Sequence, residues 1–335
     1  MRIETLWKEL EDDQSLLKSG IIYKRFSGEI KSDIYVAVKS PEKLRCIAAR
    51  VNASMHLNTD KLDNFREIKM EVVNDQQHPE KQFLLILLLD PQHQDIFATL
   101  SEDLMNQVKD ITDENQLIKG LFSRLVKWQA LFEKAKSLGL SEESQIGLYG
   151  ELFFLRKFLT RENNQEFCVD VWKGPECAIQ DFQHSNWAVE VKVTHGKNHQ
   201  KIHISSERQL DTDFVPNIYL YHLSVDIREE KGENLNDLVD SVFEIIKENS
   251  NASALYKSKL LDAGFFDNHR SLYSSNSYNI RRERIFRVNN TFPRITESQI
   301  PSEIGDVRYS IVIGDDVPWK LSDDELFLTI RPKNA

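Results

Sequence analysis

The spacing of apolar residues changes character partway along the chain. Ile34 to Val38, Leu44 to Val51, Glu67 to Val73 and Phe83 to Leu89 are short, rich in branched residues and bounded by polar turns, which predicts four strands. From Gln94 the period lengthens. Ile96, Phe97, Leu100, Leu104 and Val108 lie on one stripe of a helix over 94–108, and residues 116–136 continue in the same manner. The pattern breaks at Gly139, which divides the chain into a β-rich N-terminal domain ending in helices (1–136), expected to bind DNA or a partner, and a second domain (137–335).

The second domain opens on a helix to Thr160, with Ser141 as N-cap and Glu142 and Glu143 in the first turn, where the helix dipole favours negative charge. A hairpin through Ser185, a third strand near Lys201 to Ser205 and a short helix through Leu210 follow, giving the order helix, strand, strand, strand, helix. Further elements are a strand at Ile218 to Val225, an amphipathic helix at Asn234 to Asn249 and a helix at Ser253 to Ala263 stopped by Gly264. Two late strands, Tyr309 to Ile313 and Glu325 to Ile330, complete an α/β (α+β) chain with a mixed central sheet flanked by helices.

The 335 residues are enough for two cores, and 40% hydrophobic with 29% charged residues is a globular composition. The longest apolar run, Phe83 to Leu89, is too short to cross a bilayer, and no signal-peptide core follows Met1, so a cytoplasmic protein without a membrane partner is expected. Cys46, Cys168 and Cys177 form no C-x-x-C pair, which argues against a structural zinc site and for ordinary packing. A net charge of −10 opposes binding nucleic acid by bulk charge alone and requires a local basic groove or partner subunits.

Candidate chemistry concentrates in two segments. Along 187–194, Trp187, Val189, Val191 and Val193 face one way and Ala188, Glu190, Lys192 and Thr194 the other. If Ser185-Asn186 is a two-residue turn, 184 pairs with 187 and Asp181 lands opposite Glu190. Opposed carboxylates destabilise a hairpin unless a cation lies between them, and paired acidic oxygens suit a hard divalent ion. A longer turn would slip the register, and an isolated E-x-K on an exposed strand face is commonplace. Glu151 adds a third acid. It shares a helical face with Gly147, Leu148, Phe154, Leu155 and Phe158, so it needs a cation, a hydrogen-bond donor, an edge position, or a salt bridge to Arg156 or Lys157. Gly147 and Gly150, costly inside a helix, suggest close approach of another backbone or a ligand.

Beyond the hairpin, His195 to His203 is basic and polar, with Lys197 and Lys201 suited to phosphate contacts. His199 and His203 have H-x3-H spacing, but the strand pattern and missing glutamate argue against zinc. Arg281, Arg282, Arg284 and Arg287, with Arg294 beyond, either line a DNA groove or pair with the excess carboxylates. No phosphate-binding loop, dinucleotide fingerprint or nucleophile elbow occurs, which removes ATPase, dehydrogenase and α/β-hydrolase readings.

The helical Glu151, hairpin Asp181 and Glu190-Val191-Lys192 together resemble the PD-(D/E)xK nuclease superfamily over about Ser141 to Leu210. Leu140-Ser141, Gly147-Leu148-Tyr149-Gly150-Glu151-Leu152, Trp172-Lys173-Gly174-Pro175, Asp181-Phe182 and Val189-Glu190-Val191-Lys192 resemble one bacterial family of that superfamily, found beside methyltransferases and ATPases in restriction-like defence loci. Gln180 stands where the name-giving proline would be. The resemblance implies a restriction-endonuclease-like core and a Mg²⁺-dependent endonuclease acting on DNA, with Mn²⁺ able to substitute. It implies that Asp181, Glu190 and the Val191 carbonyl ligate the ion, that Glu151 holds water or a second ion, and that Lys192 faces the attacking water. Gln209 falls where many members carry a supporting polar residue, and is otherwise an exposed helix position. A duplex cut requires two scissions, which favours a homodimer or a complex with methyltransferase or ATPase partners. The competing reading is a silent scaffold subunit whose acidic N-terminal part docks proteins. A nuclease for RNA or single strands is disfavoured by the lack of an aromatic stacking stripe.

Overall fold

The structure, a computed structural model, describes residues 3–13, 20–57, 67–136, 139–196, 201–229, 231–314 and 316–332. The chain is a mixed α and β protein built as two compact units, 1–137 and 138–335. Among the described residues no helix is long and apolar enough to cross a membrane.

In the first unit, helix α1 (Ile3–Glu11) precedes strands β1 (Gly20–Lys24), β2 (Ile34–Ser40), β3 (Leu44–Asn52), β4 (Ile68–Asn74) and β5 (Lys81–Leu88), and helices α2 (Gln94–Val108) and α3 (Glu114–Lys136) close it. The strands form one antiparallel sheet in the order β1-β2-β3-β5-β4. Strands β2 and β5 are buried along both faces: on one, Trp7 of α1 is fully buried and its indole donates to the Ala37 carbonyl at 3.1 Å, and on the other Tyr35, Ala37, Phe83, Leu85 and Leu87 cluster with Tyr23 and Cys46.

The second unit begins with α4 (Glu142–Arg161) and α5 (Gln165–Asp170), followed by β6 (Phe182–His184), β7 (Trp187–His195), β8 (Lys201–Ile204) and β9 (Asn217–Glu229). Then come β10 (Glu233–Asn234), α6 (Leu235–Ile246), α7 (Ser250–Asp262), β11 (Asn276–Val288), β12 (Tyr309–Val312), β13 (Lys320–Leu321) and α8 (Asp323–Thr329). The main sheet runs β10-β11-β9-β7-β6, with β13 added on β11; β7 and β9 are parallel and the other pairs antiparallel. The alternation along β7 separates two cores. Trp187, Val189 and Val191 pack with α4 and α6, whereas Ala188 packs with Ile218, Leu220, Phe286 and the apolar residues of β8 and β12.

Three expectations are corrected here. Strand β8 is not the third strand of the main sheet; it pairs with β12, and β9 occupies the place beside β7. The helix expected through Leu210 is a single 3₁₀ turn, Glu207–Leu210, too short to do more than redirect the chain. Glu325 to Ile330 is not a strand: Ser322 and Glu325 form a reciprocal capping box that starts α8, and Leu326, Phe327 and Ile330 bury one helical face. Cys177 also departs from ordinary packing, being exposed while Cys46 and Cys168 are buried.

Charge is divided unevenly. Residues 1–137 hold 20 Lys and Arg against 22 Asp and Glu, and residues 138–335 hold 23 against 31, together the chain's 43 and 53. The acidic excess therefore lies in the second unit, and the N-terminal unit is close to neutral.

Candidate active site

Helix α4 starts where Ser141 accepts from the Ser144 amide at 3.1 Å. Of its two glycines, Gly147 has open space beside it, but a Cβ on Gly150 would collide with Val193 and lie 3.3 Å from Val191 Cγ1. Gly150 thus lets α4 settle directly on β7. That contact carries the next residue, Glu151, to the edge of the sheet. Arg156 and Lys157 do not serve it, because Arg156 grips Glu233 and Lys157 pairs with Glu283 and Asp323. Glu151 Oε2 instead accepts the indole N–H of Trp172 at 2.6 Å.

The hairpin has the register expected of a two-residue turn: His184 pairs with Trp187, Gln183 with Ala188 and Phe182 with Val189. Strand β6 ends there, so Asp181 lies just outside it, next to Glu190 and Val191 of β7. Its Oδ2 accepts the Val191 amide at 2.8 Å, and its main-chain carbonyl accepts the amides of Lys173 and Gly174 at 2.7 and 2.9 Å. Gly174 is needed at this point, since a Cβ there would strike the Glu151 carboxylate and lie 3.4 Å from Asp181 Oδ1. Gln180, in the proline's place, is buried and donates to the carbonyls of Arg208 and Gln209 at 3.3 and 3.2 Å, fixing the entry to the hairpin.

Glu190 is fully buried, its side chain 1% exposed against 17% for Lys192, whose Nζ lies 2.6 Å from Glu190 Oε1. Among the described residues, the Asp181 backbone is the one further group that favours the Glu190 carboxylate by hydrogen bonding, and no well-formed bond to either oxygen accompanies the ion pair. Burial, then the Asp181 charge, raises the Glu190 carboxyl to about 8 despite Lys192. Burial and then Asp181 raise Glu151 well above the usual carboxylate range, although the Trp172 indole opposes the shift. Asp181 is raised by burial against the pull of Lys192 and the Val191 amide. Burial pulls Lys192 down, but Glu190 and Asp181 outweigh it, so the ammonium is held charged.

Three carboxyl groups therefore converge on one ammonium, and without a further cation the excess negative charge is relieved by protons, as the raised Glu190 and Glu151 show. The donor set is all hard oxygen, which fits a divalent cation such as Mg²⁺. The fit lies in charge and donor type and not in a finished cage: among the described residues no three carboxylate, histidine or cysteine groups are disposed to hold an ion as they stand. Each acid is turned toward a protein donor instead, Glu151 to Trp172, Asp181 to Val191 and Glu190 to Lys192.

The remaining sequence candidates scatter. Gln209 uses its side chain on its own turn, accepting the Ser205 amide at 2.9 Å. Lys201 is exposed on β8, and Lys197 and His199 lie outside the described residues. Arg281 is exposed and pairs with Asp226 at 2.9 Å, and Arg282 is exposed on the same strand. Arg284 is corrected as a DNA contact: it is buried, donating to the Ile313 carbonyl at 3.0 Å and lying 3.2 Å from His222 Nδ1, its register partner on β9. Trp172 and Gly174 were visible in sequence as part of a pattern, without a role. Their function depends on a turn that brings residue 172 back beside residue 151, which no local periodicity encodes.

No curated protein and no solved structure matches the chain. A hairpin Asp set beside an E-x-K strand is nonetheless what the PD-(D/E)XK name abbreviates, with Gln180 in the proline's place. Residues 3–314 match the family described as "Putative PD-(D/E)XK family member" (DUF4420), and the chain belongs to that family.

Proposed function

We propose that the protein is a Mg²⁺-dependent endonuclease that hydrolyses DNA phosphodiester bonds, with Mn²⁺ as a substitute ion. The observation that carries this reading is the convergence of Glu151, Asp181 and Glu190 on Lys192, three carboxyl groups for one cation, two of them able to ionise together only if a further cation joins them. Asp181, Glu190 and the Val191 carbonyl are the groups that would hold the ion, with Glu151 as the third acid. When bound, the ion polarises the phosphoryl oxygen and lowers the pKa of water. Lys192 presents a positive charge where negative charge develops on the phosphoryl oxygens. Glu151, held by Trp172, is placed to orient a water. The hairpin β6-β7, the parallel partner β9 and the helix α4 on one face support a restriction-endonuclease-like core.

A cytoplasmic role in restriction-modification or phage defence follows from the resemblance, with methyltransferase or ATPase partners, or a second copy of the chain, supplying DNA grip. The acidic balance of the site-bearing unit favours such help. A second reading, a silent scaffold subunit, draws on the same acids, because each already has a protein donor. Supercoiled plasmid, methylated and unmethylated, incubated with Mg²⁺, Mn²⁺ or EDTA alongside Asp181→Ala separates them. Metal-dependent nicking or linearisation lost in the variant is expected; no cleavage, even with the partners added, would leave the scaffold.

A further inference from the structure

Helix α7 contributes a lysine that neither the motif nor the sheet explains. Lys259 is buried, 2% exposed, yet it carries a charge on a helix otherwise packed against α5 and α6. All three of its ammonium protons have acceptors: the Asp170 carbonyl at 2.9 Å, the Trp172 carbonyl, and the Glu176 carboxylate at 2.9 Å. These acceptors bracket residues 170–176. From that same turn the Trp172 indole reaches Glu151, and the amides of Lys173 and Gly174 reach the Asp181 carbonyl. Two of the three acids are thus held by one turn, to which Lys259 adds three charge-assisted bonds beside the turn's own backbone bonds and the Trp172–Phe182 bridge.

We propose that Lys259 is a positioning residue for the acidic site, acting through Trp172 on Glu151 and through the 173–174 amides on Asp181. The proposal rests on the nuclease reading for its purpose but not for its geometry. A purely structural lysine would need only some partner for its charge. Here the partners are the carbonyls on either side of Val171, so the ammonium fixes the plane from which the indole leaves the backbone. The carboxylate–ligand support seen around metal centres generally acts in this way, and losing it typically costs about 10–100-fold in metal affinity.

The test uses the full-length protein with ¹⁵N-labelled tryptophan, whose five indole N–H groups are few enough to assign individually. Trp172→Phe identifies the Trp172 resonance, and Glu151→Gln shows its dependence on the carboxylate. In Lys259→Met that resonance should move away from its carboxylate-bonded position while the Trp7, Trp128 and Trp319 resonances stay in place. Mn²⁺ affinity measured by calorimetry should fall about tenfold. Adding Trp172→Phe to Lys259→Met should weaken Mn²⁺ little further, because the two lie on one path. Should Lys259→Met fail to fold, Lys259→Gln keeps one donor and should give an intermediate displacement. An unmoved Trp172 resonance in a folded Lys259 variant overturns the inference. A displaced resonance in a protein that binds no Mn²⁺ even as wild type overturns the nuclease reading and leaves the positioning role standing.

Discussion

Each unit buries a carboxylate beneath a tryptophan indole, and the two cases differ in charge. In the first unit Asp103 accepts the Trp128 indole at 2.6 Å and two bonds from Arg124, at 2.6 and 3.1 Å, so among the described residues this acid has a cation of its own. In the second unit Glu151 accepts the Trp172 indole at the same distance, but it shares Lys192 with Asp181 and Glu190. The first arrangement is complete as it stands and joins α2 to α3. The second is an unfinished charge balance that persists because neighbouring backbone holds it there. A buried ion that serves the fold comes with its partner, and a surplus of like charge marks a place where something else is expected to bind.

The contrast can be broken by removing one cation from each. Arg124→Met should cost about 3–5 kcal/mol in urea denaturation, because it strands a buried, otherwise paired Asp103. Lys192→Met should cost far less stability, since Glu190 can take up a proton, its carboxyl already lying at about 8. Its effect belongs in cleavage, which should fall about 10²–10³-fold, the scale of losing one charge-stabilising donor. Equal stability losses in the two variants would erase the distinction, and Lys192→Met with full cleavage would remove Lys192 from the chemistry.

The same surplus predicts a pH slope. Glu190 titrates near an ordinary carboxylate value when unfolded and at about 8 when folded, so between those values the folded state holds the extra proton. In EDTA, stability should therefore decline as pH climbs from about 5 to about 8, at no more than about 1.4 kcal/mol per pH unit for this group, and level off above it. Glu151 and Asp181 are raised as well and push in the same direction. Glu190→Gln should flatten the slope, and Mg²⁺ should stabilise the wild type more at pH 8 than at pH 6, because binding displaces protons. Denaturation midpoints at four pH values would decide this; a stability rising with pH would contradict the burial of Glu190.

How much of this was legible in sequence follows from what is local. The β7 alternation and the Ser185-Asn186 turn are short-range, and they place Asp181 and Glu190 together before any fold is known. Helices α2 and α4 were legible from apolar spacing and, for α4, the Ser141 cap. Strand β8 was misassigned because its alternating burial fits any two-layer contact, and sequence does not say which sheet it joins. Residues 325–330 have the branched and aromatic side chains of a strand, but the Ser322–Glu325 capping box starts a helix there. The roles of Trp172, Gly174 and Lys259 were beyond reach for one reason: their partners lie 21, 7 and 87 residues away through turns with no repeating period.

The smallest expected effect concerns the arginines of β11, where the same strand gives one buried guanidinium group, Arg284, and three exposed ones, Arg281, Arg282 and Arg287. Arg284 packs inward against His222 and should behave as a structural residue, whereas Arg281 and Arg282 face solvent. Replacing Arg281 or Arg282 with Ala should reduce the salt slope of DNA binding by about one unit each, with stability almost unchanged. Arg281 already spends part of its charge on Asp226, an exposed pair of small worth, so Asp226→Asn should strengthen DNA binding slightly by releasing it. Filter binding at four salt concentrations reads both changes. If neither arginine alters the slope, the phosphate grip lies off this strand, and the acidic unit depends on a basic partner to hold its substrate.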